Sequence, residues 1–101
     1  MHAVVNRLTL ARPIDDALAQ RAQKELGDLM LASPGFQAFY FVRVSDEEAI
    51  IIVLFDDEES LVRGSKQVAS PWFKEHIQPY LSGTHRVTGE VVAIRERGGR
   101  A

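Results

Sequence analysis

The sequence has 101 residues, a formal net charge of −2 and no cysteine. This length supports one domain with a single core, and the lack of cysteine excludes disulfides and thiolate metal sites. Lysine and arginine are scattered among acids, and the amino terminus has no basic region followed by an apolar run. We therefore expect no nucleic-acid partner, no membrane partner and a cytoplasmic location.

The amino-terminal part of the chain predicts a strand followed by a helix. Ala3–Leu10 alternates in the manner of a strand, with Asn6 as the polar side chain on its more apolar face. From Ile14 to about Met30 the apolar residues recur at helical spacing, and acids occupy the first turn, where the helix dipole favours them. The Ser-Pro-Gly sequence at 33–35 then ends the helix, because proline lacks a donor and glycine permits a tight turn.

The middle of the chain predicts an antiparallel hairpin whose two strands are apolar on both faces. Phe36–Val44 forms one strand, and Ala49–Phe55, the longest unbroken apolar run, forms the other. The turn Ser45–Glu48 is too short for a parallel crossover, so the two strands should pair directly.

The remaining sequence predicts two short helices and a last strand. Glu58–Ala69 and Pro71–Tyr80 follow one apolar stripe, and we expect a break between them at which Ser70 caps the second helix. Thr84–Arg95 alternates as the last strand, with Gly89 as a possible bulge.

The resulting βαββαβ order predicts an α+β ferredoxin-like fold, in which a four-stranded antiparallel sheet carries helices on one face. We expect this domain to cover residues 1–95 and a flexible C-terminal tail to follow at 96–101. Leaving the other apolar face in water would forgo about 10 kcal/mol of burial, so we expect a second copy to cover it in a homodimer through the sheet face. The side chains expected on that uncovered face are Ile51, Val53, Phe55, Phe39 and Phe41.

Several short segments carry a family resemblance. They are Val-Val-Asn-Arg-Leu-Thr-Leu at 4–10, Ser-Pro-Gly-Phe at 33–36, Leu-Phe-Asp-Asp-Glu-Glu-Ser at 54–60, Ala-Ser-Pro-Trp-Phe at 69–73 and Gly-Glu-Val-Val at 89–92. Together they resemble the antibiotic biosynthesis monooxygenase (ABM) domain of the dimeric α+β barrel superfamily, to about Arg95. The resemblance implies a homodimer with facing sheets and a ligand cavity between sheet and helices in each subunit. It also implies an oxidoreductase, since the family includes monooxygenases that act on polycyclic phenols without metal or flavin, and haem-degrading oxygenases.

Asn6 is the first candidate for a catalytic role, because it is polar on an otherwise apolar strand face. The resemblance supports it, since the haem-degrading branch places an asparagine on its first strand. The alternative is a structural asparagine that hydrogen-bonds nearby backbone, as most buried polar groups do.

Trp72 and His76 are four residues apart, a spacing that places them on one face of a helix. We predict His76 as the catalytic base and Trp72 as an aromatic wall of the substrate site. The alternative places Trp72 in the core and His76 at the solvent edge. The haem-degrading branch has its tryptophan well before the histidine, and this difference disfavours haem degradation here.

Three further residues are candidates for the same site. Arg86 is predicted as a catalytic donor that stabilises an anion, while Tyr40 and Tyr80 are predicted to bind substrate. Each could instead be ordinary packing or surface. Three scattered histidines lack the spacing of metal ligands, so we expect neither a metal nor another cofactor.

Two classes of function follow. The first is a cofactor-independent monooxygenase-like protein that acts on a small aromatic ligand such as a phenol or hydroquinone. The second is a non-catalytic binding or scaffold homodimer, and haem degradation is the least favoured alternative. The first class needs a cavity of roughly 300 Å³ or more, lined by Asn6, Tyr40, Trp72 and His76, whereas a filled core at that place would favour the second.

Overall fold

The computed structural model describes residues 1–97, so residues 98–101 of the predicted tail lie outside the described residues. Four strands form one sheet: β1 (His2–Leu10), β2 (Phe36–Arg43), β3 (Glu48–Phe55) and β4 (Leu81–Glu90). Their order is β2-β3-β1-β4, and each neighbouring pair is antiparallel. The predicted ferredoxin-like βαββαβ fold with its four-stranded antiparallel sheet is confirmed.

The first helical region runs over residues 16–31 in three continuous parts. These are α1 (Asp16–Arg21), a π-helical segment (Ala22–Leu26) and α2 (Gly27–Leu31). Asp15 caps the start, since its Oδ1 accepts from the Leu18 amide at 2.8 Å. After the helix, Gly35 takes a φ of 82°, and a Cβ added there would lie 2.7 Å from Ser60. The turn therefore requires glycine for both conformation and space.

The second helical region runs over residues 58–80, and it corrects the predicted break at Ser70 and Pro71. It comprises α3 (Glu58–Gly64), a π-helical segment (Ser65–Ala69), α4 (Ser70–His76) and a 3₁₀ turn (Gln78–Tyr80). Ser70 has helical angles and its amide donates to the Ser65 carbonyl, five residues back. In a regular α-helix the Pro71 ring would clash with the carbonyl four residues back, and the wider π-helical turn moves that carbonyl away. The helix therefore continues through the proline.

The ends of β1 and β4 also differ from the prediction. β4 covers Leu81–Glu90 where Thr84–Arg95 was expected. Its partner β1 begins at His2, which pairs with Glu90, and one further backbone hydrogen bond runs from the Val91 amide to the Met1 carbonyl at 2.9 Å. Gly89 lies in regular register opposite Ala3, and the register shift falls at Leu10 instead.

The helices cover the opposite face of β3 from the one predicted. Ala49, Ile51, Val53 and Phe55 all lie beneath the helices and are at most 7% exposed. The prediction correctly placed Phe39 and Phe41 on the same face as Val53 and Ile51, their cross-strand partners. It was wrong in leaving this face without helices. We call this side of the sheet the covered face.

The other side of the sheet is the open face, and it is also apolar. Ile50, Ile52 and Leu54 lie on it half-buried. Its exposed members include Tyr40 at 50%, Val42 at 42% and Val87 at 50%. A sheet with two apolar faces and helices over one of them is therefore present, as expected. No helix within residues 1–97 is both long and apolar enough to cross a membrane.

Candidate functional site

A cavity of about 260 Å³ lies between the covered face and the two helical regions. All four strands contribute to it, and Leu26, Ser65 and Ala69 of the two π-helical segments lie over it. π-helical turns recur at functional sites because they displace side chains from regular helical positions. The walls are mostly apolar, and the polar residues that line the cavity are Asn6, Ser65, Ser70, Thr84 and Arg86.

Asn6 lies at the centre of the sheet side of this cavity. Its register places it between Ile51 on β3 and Arg86 on β4. Its Oδ1 atom is buried, and no group within residues 1–97 donates a hydrogen bond to it. A buried acceptor without a donor is costly, so the expected structural role for Asn6, a hydrogen bond to nearby backbone, does not account for this oxygen.

Arg86 is the charged residue among those that line the cavity in the described part of the chain. It is exposed, and no carboxylate within residues 1–97 forms an ion pair with it. Two of the six predicted site residues, Asn6 and Arg86, thus meet on adjacent strands in one cavity. A guanidinium beside an unpaired amide oxygen provides both donors and an acceptor for a bound molecule.

Trp72 lies in the core and is absent from the cavity wall. It is 6% exposed, and its Nε1 donates to Glu25 Oε1 at 3.4 Å. The hydrogen bond from Arg21, and after it the one from Trp72, lowers the pKa of the Glu25 carboxyl below its ordinary value. Trp72 therefore ties the two helical regions together, which is the structural alternative stated for it above.

His76 lies beside Trp72, with ring centroids 4.5 Å apart, but it faces away from the cavity. It lines a separate outer groove of about 500 Å³, formed by the two helical regions and also lined by Arg12, Asp15, Arg21, Glu75 and Tyr80. The predicted base and the predicted donors Asn6 and Arg86 are thus in different places.

The outer groove is larger than the cavity, yet several of its polar groups already interact with one another. Tyr80 Oη donates to Asp15 Oδ2 at 3.4 Å, and the Arg12 guanidinium stacks 4.0 Å from the Tyr80 ring. Arg21 pairs with Glu25 at 3.1 Å. Such contacts on a polar surface account for Tyr80 without a ligand, so we take the cavity as the candidate site.

Tyr40 belongs to neither place. It pairs with Ile52 and lies on the open face, whereas its neighbours Phe39 and Phe41 point to the covered face. The four residues expected to line one pocket, Asn6, Tyr40, Trp72 and His76, are therefore not brought together. The cavity, at about 260 Å³, is also smaller than the roughly 300 Å³ expected for the first class of function, although it is not a filled core.

Sequence reasoning missed three hydroxyl side chains that line the cavity, Ser65, Ser70 and Thr84. Thr84 could have been found, because it shares strand parity with Arg86. Ser65 and Ser70 are five residues apart, and only the π-helical turn places both over the cavity. Within residues 1–97 no cluster of three potential metal ligands occurs.

Comparison with known proteins gives the fold. No family model and no curated protein matches the chain. Among solved structures, it is similar to SnoaB from Streptomyces nogalater, a cofactor-independent oxygenase, with 17% identity, a TM-score of 0.69 and 97% of each chain covered. It is also similar to the ActVA-Orf6 monooxygenase of Streptomyces coelicolor, in complex with nanaomycin D, with 17% identity, a TM-score of 0.71 and coverage of 94% and 91%.

A third similar structure is the haem degrader MhuD of Mycobacterium tuberculosis, with two haems bound in its active site. Its identity is 17%, its TM-score 0.61, and the match covers 95% of this chain and 100% of that one. The resemblance inferred from the sequence is thereby confirmed at the level of fold over nearly the whole chain. Since the same fold carries several activities, function has to be argued from the cavity.

Proposed function

We propose that this protein binds a small aromatic, phenol-type metabolite in the cavity and acts on it as a cofactor-independent monooxygenase. The observation that carries the proposal is the buried, unpaired Oδ1 of Asn6 beside Arg86 in an otherwise apolar cavity. Apolar walls with a few convergent polar groups are typical of small-molecule sites. The shared fold with two oxygenases adds support, since one of them is described as cofactor-independent.

The reaction we propose uses electrons that the substrate itself supplies. An electron-rich phenol, once deprotonated, can pass electrons to molecular oxygen and become a quinone. One oxygen atom replaces a ring hydrogen, and the second leaves as water with that hydrogen and the phenolic proton. The ring loses four electrons and the oxygen molecule gains four, so atoms and electrons balance. The protein has to exclude water, hold the ring and stabilise the anion.

We assign each task to a residue by its position in the cavity. Arg86 faces the anionic oxygen and lowers the pKa of the bound phenol, because an adjacent positive charge favours the charged form. Asn6 orients the ring through its amide, while Ile51, Phe73 and Met30 are among the apolar walls. No histidine, aspartate or glutamate lines the cavity within residues 1–97, so the substrate should enter as the anion.

The second candidate is non-catalytic binding of the same class of ligand, and the lack of a lining base among the described residues favours it. Haem degradation fits less well. A tetrapyrrole needs more space than the 260 Å³ of this cavity, and His76, the histidine compared above with that of the haem-degrading branch, lies in the outer groove.

We further propose that the protein is a homodimer in which the open faces of two sheets meet, in the cytoplasm. Tyr40, Val42 and Val87 are each more than two-fifths exposed on this face in the single chain. Apolar area of this kind is what a sheet-to-sheet contact would bury.

Oxygen uptake by chelator-treated protein tests the catalytic proposal. With a panel of electron-rich phenols and hydroquinones, we expect uptake above their autoxidation, and about tenfold less in Asn6→Ala and in Arg86→Gln. His76→Ala should retain the activity, because His76 lies outside the cavity, and its loss would instead make His76 the base. Uptake equal to the protein-free control for every compound would leave the binding candidate.

A further inference from the structure

The cavity crosses the whole width of the sheet, and its two ends lie on the two edge strands. Every strand contributes to its floor, with Thr84 and Arg86 on β4, Asn6 on β1, Val53 on β3 and Phe39 on β2. Both lining residues of β4 are exposed, so the cavity opens to solvent at this edge. At the opposite edge, on β2, the lining residue is Phe39.

The strand register makes Phe39, and not its neighbour Phe41, the end of this cavity. Phe41 lies in the same row of cross-strand partners as Asn6 and Arg86, yet it does not line the cavity. Phe39 pairs with Val53 in the next row on the covered face. The cavity therefore crosses the sheet diagonally, from Arg86 at its open end to Phe39 at the other. Both phenylalanines are half-buried.

The Phe39 side chain also borders space outside the cavity. Two surface grooves of about 290 and 410 Å³ lie between the β2 edge and the first helical region, and Phe39 lines both of them. Gln23 of the first π-helical segment also lines both grooves, but it does not line the cavity. Among residues 1–97, Phe39 is the residue common to the cavity and the two grooves. Its side chain therefore lies between them.

The two ends of the cavity determine how an aromatic ligand lies in it. In the proposed function Arg86 faces the phenolate oxygen, so the rest of the ligand extends towards Phe39. The volume of about 260 Å³ lies just below the range of about 300–1,000 Å³ that is usual for drug-sized ligands. One ring or two fused rings suit such a space. A third ring in line would overlap the Phe39 ring, and overpacking of this kind lowers affinity.

We infer that Phe39 determines how many rings the ligand can have, and that the ligand is a phenol with one ring or two fused rings. Removing the Phe39 ring joins the cavity to the grooves and leaves room for one further ring of the ligand. The inference rests on the proposed function in that the ligand lies in the cavity with its phenolate oxygen at Arg86. It adds the residue that limits the length of that ligand.

Three phenols of increasing length provide the test. Phenol, 2-naphthol and 2-hydroxyanthracene share one terminal hydroxyl and differ in the number of rings in line. Their binding is measured under nitrogen by the NMR shifts of the Ile51 and Val53 methyl groups, which line the cavity. We expect the parent protein to bind 2-naphthol about tenfold more tightly than phenol, because a second ring is buried. It should bind 2-hydroxyanthracene about tenfold more weakly than 2-naphthol, because the third ring meets Phe39.

Three variants assign this limit to its residue. Phe39→Ala should invert the second preference, so that 2-hydroxyanthracene binds about tenfold more tightly than 2-naphthol. Phe39→Leu keeps a branched apolar side chain at this half-buried position, in case the alanine variant does not fold, and should bring the two affinities to within about twofold. Phe41→Ala is the matched control, because it truncates the same side chain on the same strand and face outside the cavity. It should keep the preference of the parent protein.

Equal affinity of the parent protein for the two larger phenols would overturn the inference. So would an unchanged preference in the Phe39 variants, or an inversion that also occurs in Phe41→Ala. Binding of none of the three phenols would reject the inference together with the proposed ligand site, whereas binding without the limit on ring number rejects the inference alone. The expected affinities without oxygen uptake from any phenol would uphold the inference and reject the oxygenase proposal.

Discussion

The covered and open faces of β3 are nearly equal in hydrophobicity but opposite in environment. Ile51 on the covered face is 7% exposed, whereas Ile52 on the open face is half-buried and pairs with the exposed Tyr40. An unbroken apolar run therefore shows that both sides need covering, but not by what. Which face the helices cover depends on contacts elsewhere in the fold, since β1 sets the register of β3 and Gly64 of α3 leaves room for the Phe55 ring.

The largest effect should come from placing a charge on each face in turn. Ile51→Asp buries an unpaired carboxylate beneath the helices and should cost several kcal/mol, enough to unfold a domain of ordinary stability. Ile52→Asp should leave the subunit folded but convert the proposed dimer to a monomer. Thermal melts followed by circular dichroism and light scattering after size exclusion measure the two outcomes.

The same two variants would also reveal a wrong assignment of the faces. An Ile51→Asp variant that melts like the parent protein would show that the covered face is not buried. An Ile52→Asp variant that remains dimeric would show that the open face is not the interface. Val62→Asp, which adds the same charge on α3 at a side chain that is 53% exposed, is the control and should fold and associate like the parent protein.

A smaller effect on stability should distinguish alanine substitutions at Gly64 and Gly27, two glycines of the helices that cover the sheet. A Cβ added at Gly64 would overlap the Phe55 ring, with Cε2 at 2.8 Å, whereas at Gly27 the nearest atom is the Ala22 oxygen at 3.9 Å. Gly64→Ala should lose about 1–3 kcal/mol to overpacking, which exceeds its gain in helix propensity. Gly27→Ala should gain up to about 1 kcal/mol. Urea unfolding of both variants gives the difference, and equal stabilisation would mean that α3 does not approach β3 so closely.

The order of elements and the hairpin could be predicted because they depend on local signals. The acidic turns, the Ser-Pro-Gly stop and the change from alternating to helical spacing all lie within the segments they define. The course of the chain through Pro71 could not be predicted in this way. Ser70 followed by proline normally begins a helix, but here a π-helical turn, closed by the hydrogen bond from the Ser70 amide to the Ser65 carbonyl, accommodates the proline within one continuous helix.

The candidate site was predictable only where strand parity applied. Asn6 and Arg86 are on strands, and alternation together with the register brings them to one face. Trp72 and His76 were correctly placed near each other by their helical spacing, but that spacing does not tell which side of a helix meets the sheet. Tyr40 was assigned to the cavity although its parity with Val42 places it on the open face.

The smallest effect concerns the start of α3, the helix that directly follows β3. Asp57 caps α3, and the hydrogen bonds from Ser60, first of all from its amide to Oδ1 at 2.8 Å, lower the pKa of Asp57 below its ordinary value of 3.8. A carboxyl with a lower pKa in the folded state contributes stability that is present above the unfolded-state value. That contribution is lost as the pH falls through the folded-state value.

Asp57→Asn should therefore alter the acid limb of the stability curve more than its plateau. Asparagine caps helices about as well as aspartate, so stability near neutral pH should change little. Below about pH 4 the variant should lose less stability than the parent protein, because its cap no longer takes up a proton. Asp46→Asn removes the same charge from the exposed turn between β2 and β3 and should follow the parent curve, apart from a uniform offset. Urea unfolding at a series of pH values measures all three proteins. Coincident acid limbs for the parent and Asp57→Asn would show that folding does not lower the pKa of Asp57.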